Sequence, residues 1–208
     1  MTRVACIGEA MIELSVAEEG TLLGVAGDSL NTAIYLRRTA PALEIEYVTC
    51  LGDDPFSHRI LDFIKDREIG TSSISQITNK SPGLYAITTA PDGERSFTYW
   101  RGDSAARDLF ADGDFAFLGG FDIVYLSGIS LAILPHPVRL DLLNWLKKSK
   151  VSVAYDSNYR ARLWDNVAHA RLITDAFWKR ADILLPSIDD EMTLFEESES
   201  EVLVRFSG

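Results

Sequence analysis

Cysteine is scarce in this sequence: Cys6 and Cys50 are the only two, too few for a disulfide framework. Each sits inside an apolar stretch, so both are expected as buried free thiols in a reducing compartment. Histidine is almost as rare. His58, His136 and His169 lie far apart without metal-ligand spacing, which argues against a zinc site and a histidine-based triad. No apolar run approaches the ~20 residues that span a bilayer. Met1-Thr2-Arg3 leads straight into Val4-Ala5-Cys6-Ile7 with no signal-peptide core. A soluble, cytoplasmic protein is therefore expected. Positive charge is also short: 20 Lys and Arg face 31 Asp and Glu, a formal net charge of −11. Such a chain repels phosphate backbones and anionic lipid, so neither nucleic acid nor membrane is expected as a partner. Seven of the acids (Asp189, Asp190, Glu191, Glu196, Glu197, Glu199, Glu201) crowd thirteen residues that hold no base. That run reads as a solvated helix and loop.

What is present is ordinary globular material, 208 residues with 47% apolar and 25% charged side chains. Strand-length apolar runs alternate with helical patterns. Val4–Ile7, Ile45–Cys50, Phe121–Leu126, Val151–Tyr155 and Ala181–Leu185 read as strands. Asp28 or Ser29 can cap a helix through Leu30, Ala33 and Ile34. Asp54-Pro55 opens another, with Phe56, Ile60, Phe63 and Ile64 on one face. Val138, Leu142, Trp145 and Leu146 form a third stripe, a helix is expected around 166–178, and Glu191–Phe195 begins a further one. This alternation predicts an α/β fold, a mainly parallel, doubly wound sheet flanked by helices. Gly83–Thr89 and Arg95–Arg101 break the rhythm. They alternate like exposed strands around the turn-rich Ala90-Pro91-Asp92-Gly93-Glu94, a β-hairpin signal. With an extended piece within Leu14–Val25, this hairpin is expected to form a small β lid over a ligand site. The whole of 1–208 is expected to be one α/β domain carrying that lid.

Ligands of parallel sheets bind beyond the carboxyl ends of the strands. Four segments qualify: Gly8–Glu13, Gly52-Asp53-Asp54, Asp156–Arg160 and Pro186–Asp190. Asp54 and Asp189 can equally be helix caps. Val25-Ala26-Gly27-Asp28-Ser29-Leu30-Asn31 makes a small-residue turn into a helix, where Asp28 and Asn31 can hydrogen-bond hydroxyls. Phe97, Tyr99 and Arg101 share one face by period two, an aromatic stripe ending in a guanidinium fork suited to a carboxylate. No G-x-G-x-x-G follows the first strand, which speaks against a dinucleotide-binding oxidoreductase.

Taken in order, Gly8-Glu9-Ala10-Met11-Ile12-Glu13-Leu14, Ala26-Gly27-Asp28-Ser29-Leu30-Asn31-Thr32, Gly52-Asp53-Asp54-Pro55-Phe56, Tyr99-Trp100-Arg101, Leu126-Ser127-Gly128-Ile129-Ser130-Leu131 and Asp156-Ser157-Asn158-Tyr159-Arg160 leading to Leu163-Trp164 resemble the ribokinase-like (PfkB) carbohydrate kinases. The likeness is strongest to those acting on 2-keto-3-deoxygluconate. The resemblance implies a ribokinase-like fold and ATP-dependent phosphorylation of that sugar acid on its terminal hydroxyl, with Mg2+. It implies that Gly27, Asp28, Asn31, Tyr85, Tyr99, Arg101, Arg160 and, more weakly, Glu13 bind substrate. Asp156, Asn158, Ser187 and Asp190 would lie on the nucleotide side, with Asp190 organising magnesium through water. It also implies a homo-oligomer formed through the lid.

Three departures accompany the likeness. Ala26 stands where the family usually has glycine. Ser187 and Asp190 take the asparagine and glutamate positions of its N-x-x-E motif. The family's G-A-G-D motif, which supplies the catalytic base, is not found before the sequence stops at Gly208. On that resemblance the C-terminal third is expected to be missing, no catalytic residue is assigned, and the chain alone is expected to transfer little phosphate. The alternatives are a kinase for a neutral sugar of the fructose or ribose type, and a non-catalytic sugar-acid-binding module.

Overall fold

The computed structural model describes residues 1–17, 20–90 and 92–207. Pro91 of the expected turn and Glu18-Glu19 of the expected extended piece lie outside the described residues. In chain order the elements are β1 (Arg3–Ile7), β2 (Met11–Ala17), β3 (Gly20–Ala26), α1 (Asp28–Thr39), β4 (Glu44–Leu51), α2 (Pro55–Lys65), β5 (Ile74–Gln76), β6 (Gly83–Thr89) and β7 (Arg95–Trp100). They continue as β8 (Ile123–Ser127), α3 (Gly128–Ile133), α4 (His136–Lys148), β9 (Ser152–Asp156), α5 (Val167–Trp178), β10 (Ile183–Leu185), α6 (Ile188–Phe195) and α7 (Glu199–Phe206). They gather into two compact units, one holding Met1 and Gly8–Leu109, the other Thr2–Ile7 and the residues from Phe110 onward.

The first unit contains the parallel pair β4–β5 and a four-stranded sheet in the order β3-β2-β6-β7. β2 pairs antiparallel with β3, β6 antiparallel with β7, and β2 and β6 run parallel. The hairpin and the extended piece legible in the sequence are thus the two halves of one sheet. Their junction, β2 with β6, joins residues some seventy positions apart and leaves no local pattern.

Helix α1 opens differently from the expectation. Its N-cap is Gly27, which has no side chain to offer, and Asp28 is the first helical residue. The cap position packs against the Glu9 carbonyl, where a Cβ would collide with the oxygen, so neither Asp28 nor Ser29 caps. Asp28 instead places its charge at the positive end of the helix.

In α2 the cap is Asp54. Its Oδ1 accepts the N–H of Phe56 at 2.8 Å and of Ser57 at 3.3 Å, and its Oδ2 accepts the Ser57 hydroxyl at 2.7 Å. Asp54→Ala is expected to lower stability by about 1–2 kcal/mol, seen as an earlier thermal melt with no change in fold. The buried face is Ser57, Ile60 and Ile64, and Phe56 is exposed. The apolar periodicity predicts Phe56 on that face. Ser57 stands there instead because its hydroxyl also receives the Gly52 N–H at 2.8 Å, closing the turn after β4.

The second unit holds four parallel strands, β10-β9-β8-β1. Ser127 and Ser130 cap α3 reciprocally, and the Ser130 hydroxyl donates to the Ile7 carbonyl at 2.7 Å. The buried stripe of α4 is Arg139, Leu142, Leu143 and Leu146, turned from the expected Val138, Leu142, Trp145 and Leu146. Arg139 enters it because its guanidinium donates to the carbonyls of Leu134 at 2.8 Å and Ala132 at 2.9 Å, at the C-terminal end of α3. Asn166 caps α5 by accepting the His169 N–H at 2.8 Å.

The acidic C-terminal run is not wholly solvated. Glu191 is fully buried and accepts from Arg205 of α7 at 2.9 Å. Burial pushes its pKa up, against the pull of Arg205. Both cysteines are free and buried, and burial raises the Cys6 thiol to about 12, so it stays protonated at neutral pH. Among the described residues no helix is long and apolar enough to cross a membrane.

Candidate functional site

In the first unit, the turn after β1, the start of α1 and the lid sheet bring one group of polar residues together. The lid's register aligns Glu13 on β2 with Tyr85 on β6, and Tyr85 with Tyr99 on β7. The Tyr85 hydroxyl donates to Glu13 Oε2. Its ring stacks on Tyr99 at 5.5 Å between centroids, and Tyr99 stacks in turn on Phe97 at 6.4 Å. Burial, and then the Glu13 carboxylate, hold the Tyr85 phenol above its ordinary range, so it serves as a neutral donor. The ladder makes an aromatic face of the kind that takes the apolar side of a sugar ring.

Arg101 follows β7 and is nearly buried, its side chain 9% exposed, where it forms an ion pair with the fully buried carboxylate of Glu9. The second Glu9 oxygen accepts the Ser104 hydroxyl at 2.5 Å. Arg101 Nε has no hydrogen-bond acceptor among the described residues. Glu9 is packed tightly: a Cβ on Gly83 would lie 2.6 Å from Glu9 Oε1, and one on Gly27 would overlap the Glu9 carbonyl oxygen. Asp28 adds a negative field at Glu9. Gly27 is buried, Asp28 partly so, and Asn31, whose N–H bonds the Gly27 carbonyl at 2.8 Å, is exposed one turn along α1.

Glu9 is the residue that reading the sequence passed over. Its signal was there: an acid directly after a buried strand, between Gly8 and Ala10, needs a cation, and Arg101 is its cation.

In the second unit, Asp156 ends β9 and accepts the Tyr125 hydroxyl at 3.1 Å. Asn158 takes a left-handed conformation, with φ 28°. Ser157 Oγ accepts the Ser187 N–H at 2.8 Å, tying the turn after β9 to the turn after β10. Asp190 spends both its oxygens on this turn, Oδ2 on the Tyr159 N–H at 3.1 Å and Oδ1 on Arg160 Nη1 at 3.2 Å. Arg160 is 47% exposed. Asp156, Asn158, Arg160, Ser187 and Asp190 therefore cluster at the carboxyl ends of β9 and β10, Ser187 as N-cap of α6 without a side-chain bond. The described residues hold no group of three His, Cys, Asp or Glu able to grip a cation. With Asp190 engaged on both oxygens, they do not fit a directly ligated magnesium ion.

Ligand-type residues at the carboxyl ends of parallel strands in one unit, and a small sheet with an aromatic face in the other, are features of an α/β sugar kinase. The chain belongs to the pfkB family of carbohydrate kinases, which it matches over residues 1–206. It is 41% identical to the 2-dehydro-3-deoxygluconokinase of Dickeya dadantii, over 99% of this chain and 69% of that protein. To the same enzyme of Haemophilus influenzae it is 40% identical, over 96% of this chain and 67% of the relative. Among solved structures it is similar to the 2-dehydro-3-deoxygluconokinase of Thermotoga maritima, with a TM-score of 0.85 at 22% identity, covering 100% of this chain and 70% of that one. It is also similar to an ATP-bound fructokinase from Xylella fastidiosa, with a TM-score of 0.79 at 18% identity, covering 98% of this chain and 68% of that one. The fold is the ribokinase-like α/β fold of this family, whose members use ATP.

Proposed function

We propose that this chain is a sugar-acid kinase acting on 2-keto-3-deoxygluconate, the compound also called 2-dehydro-3-deoxygluconate, with ATP as phosphoryl donor. The observation that carries the reading is Arg101, a nearly buried arginine with a spare Nε–H at the end of an aromatic lid strand. A cation so placed suits a sugar that carries a carboxylate and is superfluous for a neutral one. Asp28 and Asn31 would take sugar hydroxyls, with Gly27 leaving the backbone open to approach. Tyr85 and Tyr99 would cover the ring, and the Tyr85–Glu13 bond would fix the phenol. Arg160 would supply a second positive charge to the substrate. On the nucleotide side, Asp156, Asn158, Ser187 and Asp190 would shape the turn that meets the phosphates. Asp190 acts there by holding Tyr159 and Arg160, and magnesium would arrive with the nucleotide's phosphates, as this ion commonly does. The lid sheet would also be the surface through which copies of the chain pair.

Calorimetric titration with 2-keto-3-deoxygluconate, using gluconate and fructose as controls, tests the substrate. Saturable heat is expected for the keto acid alone. Saturable heat for fructose, with none for the keto acid, would replace the reading with that of a neutral-sugar kinase.

A further inference from the structure

The Glu9–Arg101 pair raises a question that substrate recognition alone does not answer. Arg101, taken above as the partner of the substrate's carboxylate, already has a carboxylate. Among the described residues the charged groups acting on Glu9 are Arg101, from the segment after β7, and Asp28, from the first turn of α1. Ser104 contributes a hydroxyl, while Gly27 and Gly83 pack against Glu9 with no charge. Nearby Lys80 is engaged by Asp103 at 2.5 Å and by Asp108 at 3.2 Å. One guanidinium thus balances a buried carboxylate beside a second acid. A substrate carboxylate arriving at Arg101 adds a second negative charge to a pair whose own carboxylate is already fully buried, and such a site sheds charge by protonation.

We infer that Glu9 is a specificity-determining residue: it is the resident counter-ion of Arg101, and it yields that role to the substrate's carboxylate by taking up one proton from solvent. This rests on the reading of Arg101 as the substrate's anchor. Glu9 is suited to the exchange because burial already raises its pKa, with Arg101 foremost in holding it down. Sharing Arg101 with a second anion weakens that hold. In the empty site the pair keeps Arg101 from standing as an uncompensated buried charge. A neutral sugar, bringing no anion, leaves the pair intact and takes up no proton.

The test is titration of the full chain with 2-keto-3-deoxygluconate in phosphate and in Tris, from about pH 5.5 to about pH 8, where the ligand's own carboxyl stays ionised. The two buffers differ in ionisation heat, so the difference in observed heat counts protons. Net uptake is expected in the wild-type chain, with affinity tightening as pH falls by up to about tenfold per pH unit. Glu9→Gln keeps the shape and removes the titrating group, so its binding heat is expected to be the same in both buffers. Heat that is buffer-independent in the wild type, or proton uptake that persists in Glu9→Gln, overturns the inference. Should Glu9→Gln fail to fold, Ser104→Ala decides. It removes a hydrogen bond that lowers the Glu9 pKa, and is expected to shift the linkage to higher pH; an unmoved linkage overturns the inference. The two readings fail differently. No keto-acid heat from the wild type overturns both, whereas buffer-independent heat that is lost in Arg101→Leu overturns only the role of Glu9.

Discussion

Arg101→Leu is expected to weaken binding of 2-keto-3-deoxygluconate by about 100-fold, the loss typical of removing a desolvated charge-assisted contact, while leaving any fructose binding within about twofold. Calorimetry with both sugars reads the two numbers side by side. The same substitution strands Glu9, which is 1% exposed and among the described residues retains only the Ser104 hydroxyl as a side-chain hydrogen-bond partner. Breaking a buried pair from one side costs about 3–5 kcal/mol, because the remaining charge is left uncompensated. The loss depends on pH, with a defined sign. Glu9 is already raised above the ordinary value of 4.5, and removing Arg101 removes the chief influence lowering it. A carboxyl with a folded-state pKa above its unfolded one contributes stability that is fully present below the unfolded value and is lost as pH rises through the folded one. The variant should therefore melt well below the wild type at neutral pH and approach it on acidification. Melting curves that stay equally far apart at every pH would remove Glu9 from the explanation.

Gly128→Ala is expected to be the most damaging single methyl in the second unit. A Cβ there would overlap the Ser157 carbonyl oxygen and sit 3.2 Å from the Ser157 carbonyl carbon and 3.3 Å from the Asn158 oxygen. All three are backbone atoms of a turn with little room to retreat. Ser157 is tied through its N–H to the Leu185 carbonyl at 3.4 Å and through its hydroxyl to Ser187, and Asn158 already holds a left-handed φ. An overpacking cost of about 3 kcal/mol follows, or a melting temperature lower by about 6–12 °C for a chain of this size. Gly24→Ala is the control. Its nearest neighbours, Glu13 Cβ and Oε1, lie 3.6 Å away, and its melt should stay within about 1 kcal/mol of the wild type.

What could be read from the sequence followed the range of each signal. The strands of the second unit, the hairpin of β6 and β7 and the cap at Asp54 are local patterns, and they stand where periodicity and turn chemistry put them. The joining of β2 to β6 depends on a pairing between distant segments, and no local pattern encodes it. Glu191 was counted with its acidic neighbours because its partner, Arg205, is fourteen residues on and across a turn. Arg101 was recognisable as a guanidinium at the end of an aromatic stripe. Its being already paired was not, because Glu9 lies more than ninety residues earlier. Phe56 and Arg139 fail together, and for one reason: periodicity counts apolar side chains, whereas a buried position can be taken by any side chain whose polar atoms are satisfied. Ser57 bonds the Gly52 N–H and the Asp54 carboxylate, and Arg139 bonds the carbonyls of Leu134 and Ala132.

Gly27 and Gly83 are both kept small by Glu9, but by different parts of it. At Gly27 the obstruction is the main-chain oxygen of residue 9, which every amino acid brings. At Gly83 it is a side-chain oxygen, 2.6 Å from where the methyl would be, with Arg101 and Met11 at 3.1 Å needing to give only slightly. A lineage that first shortened residue 9 would find alanine at 83 newly admissible, while one that began at 83 would meet the collision at once. Position 27 offers no such detour. The tolerance of one glycine is therefore a matter of mutational history, and the intolerance of the other is independent of it.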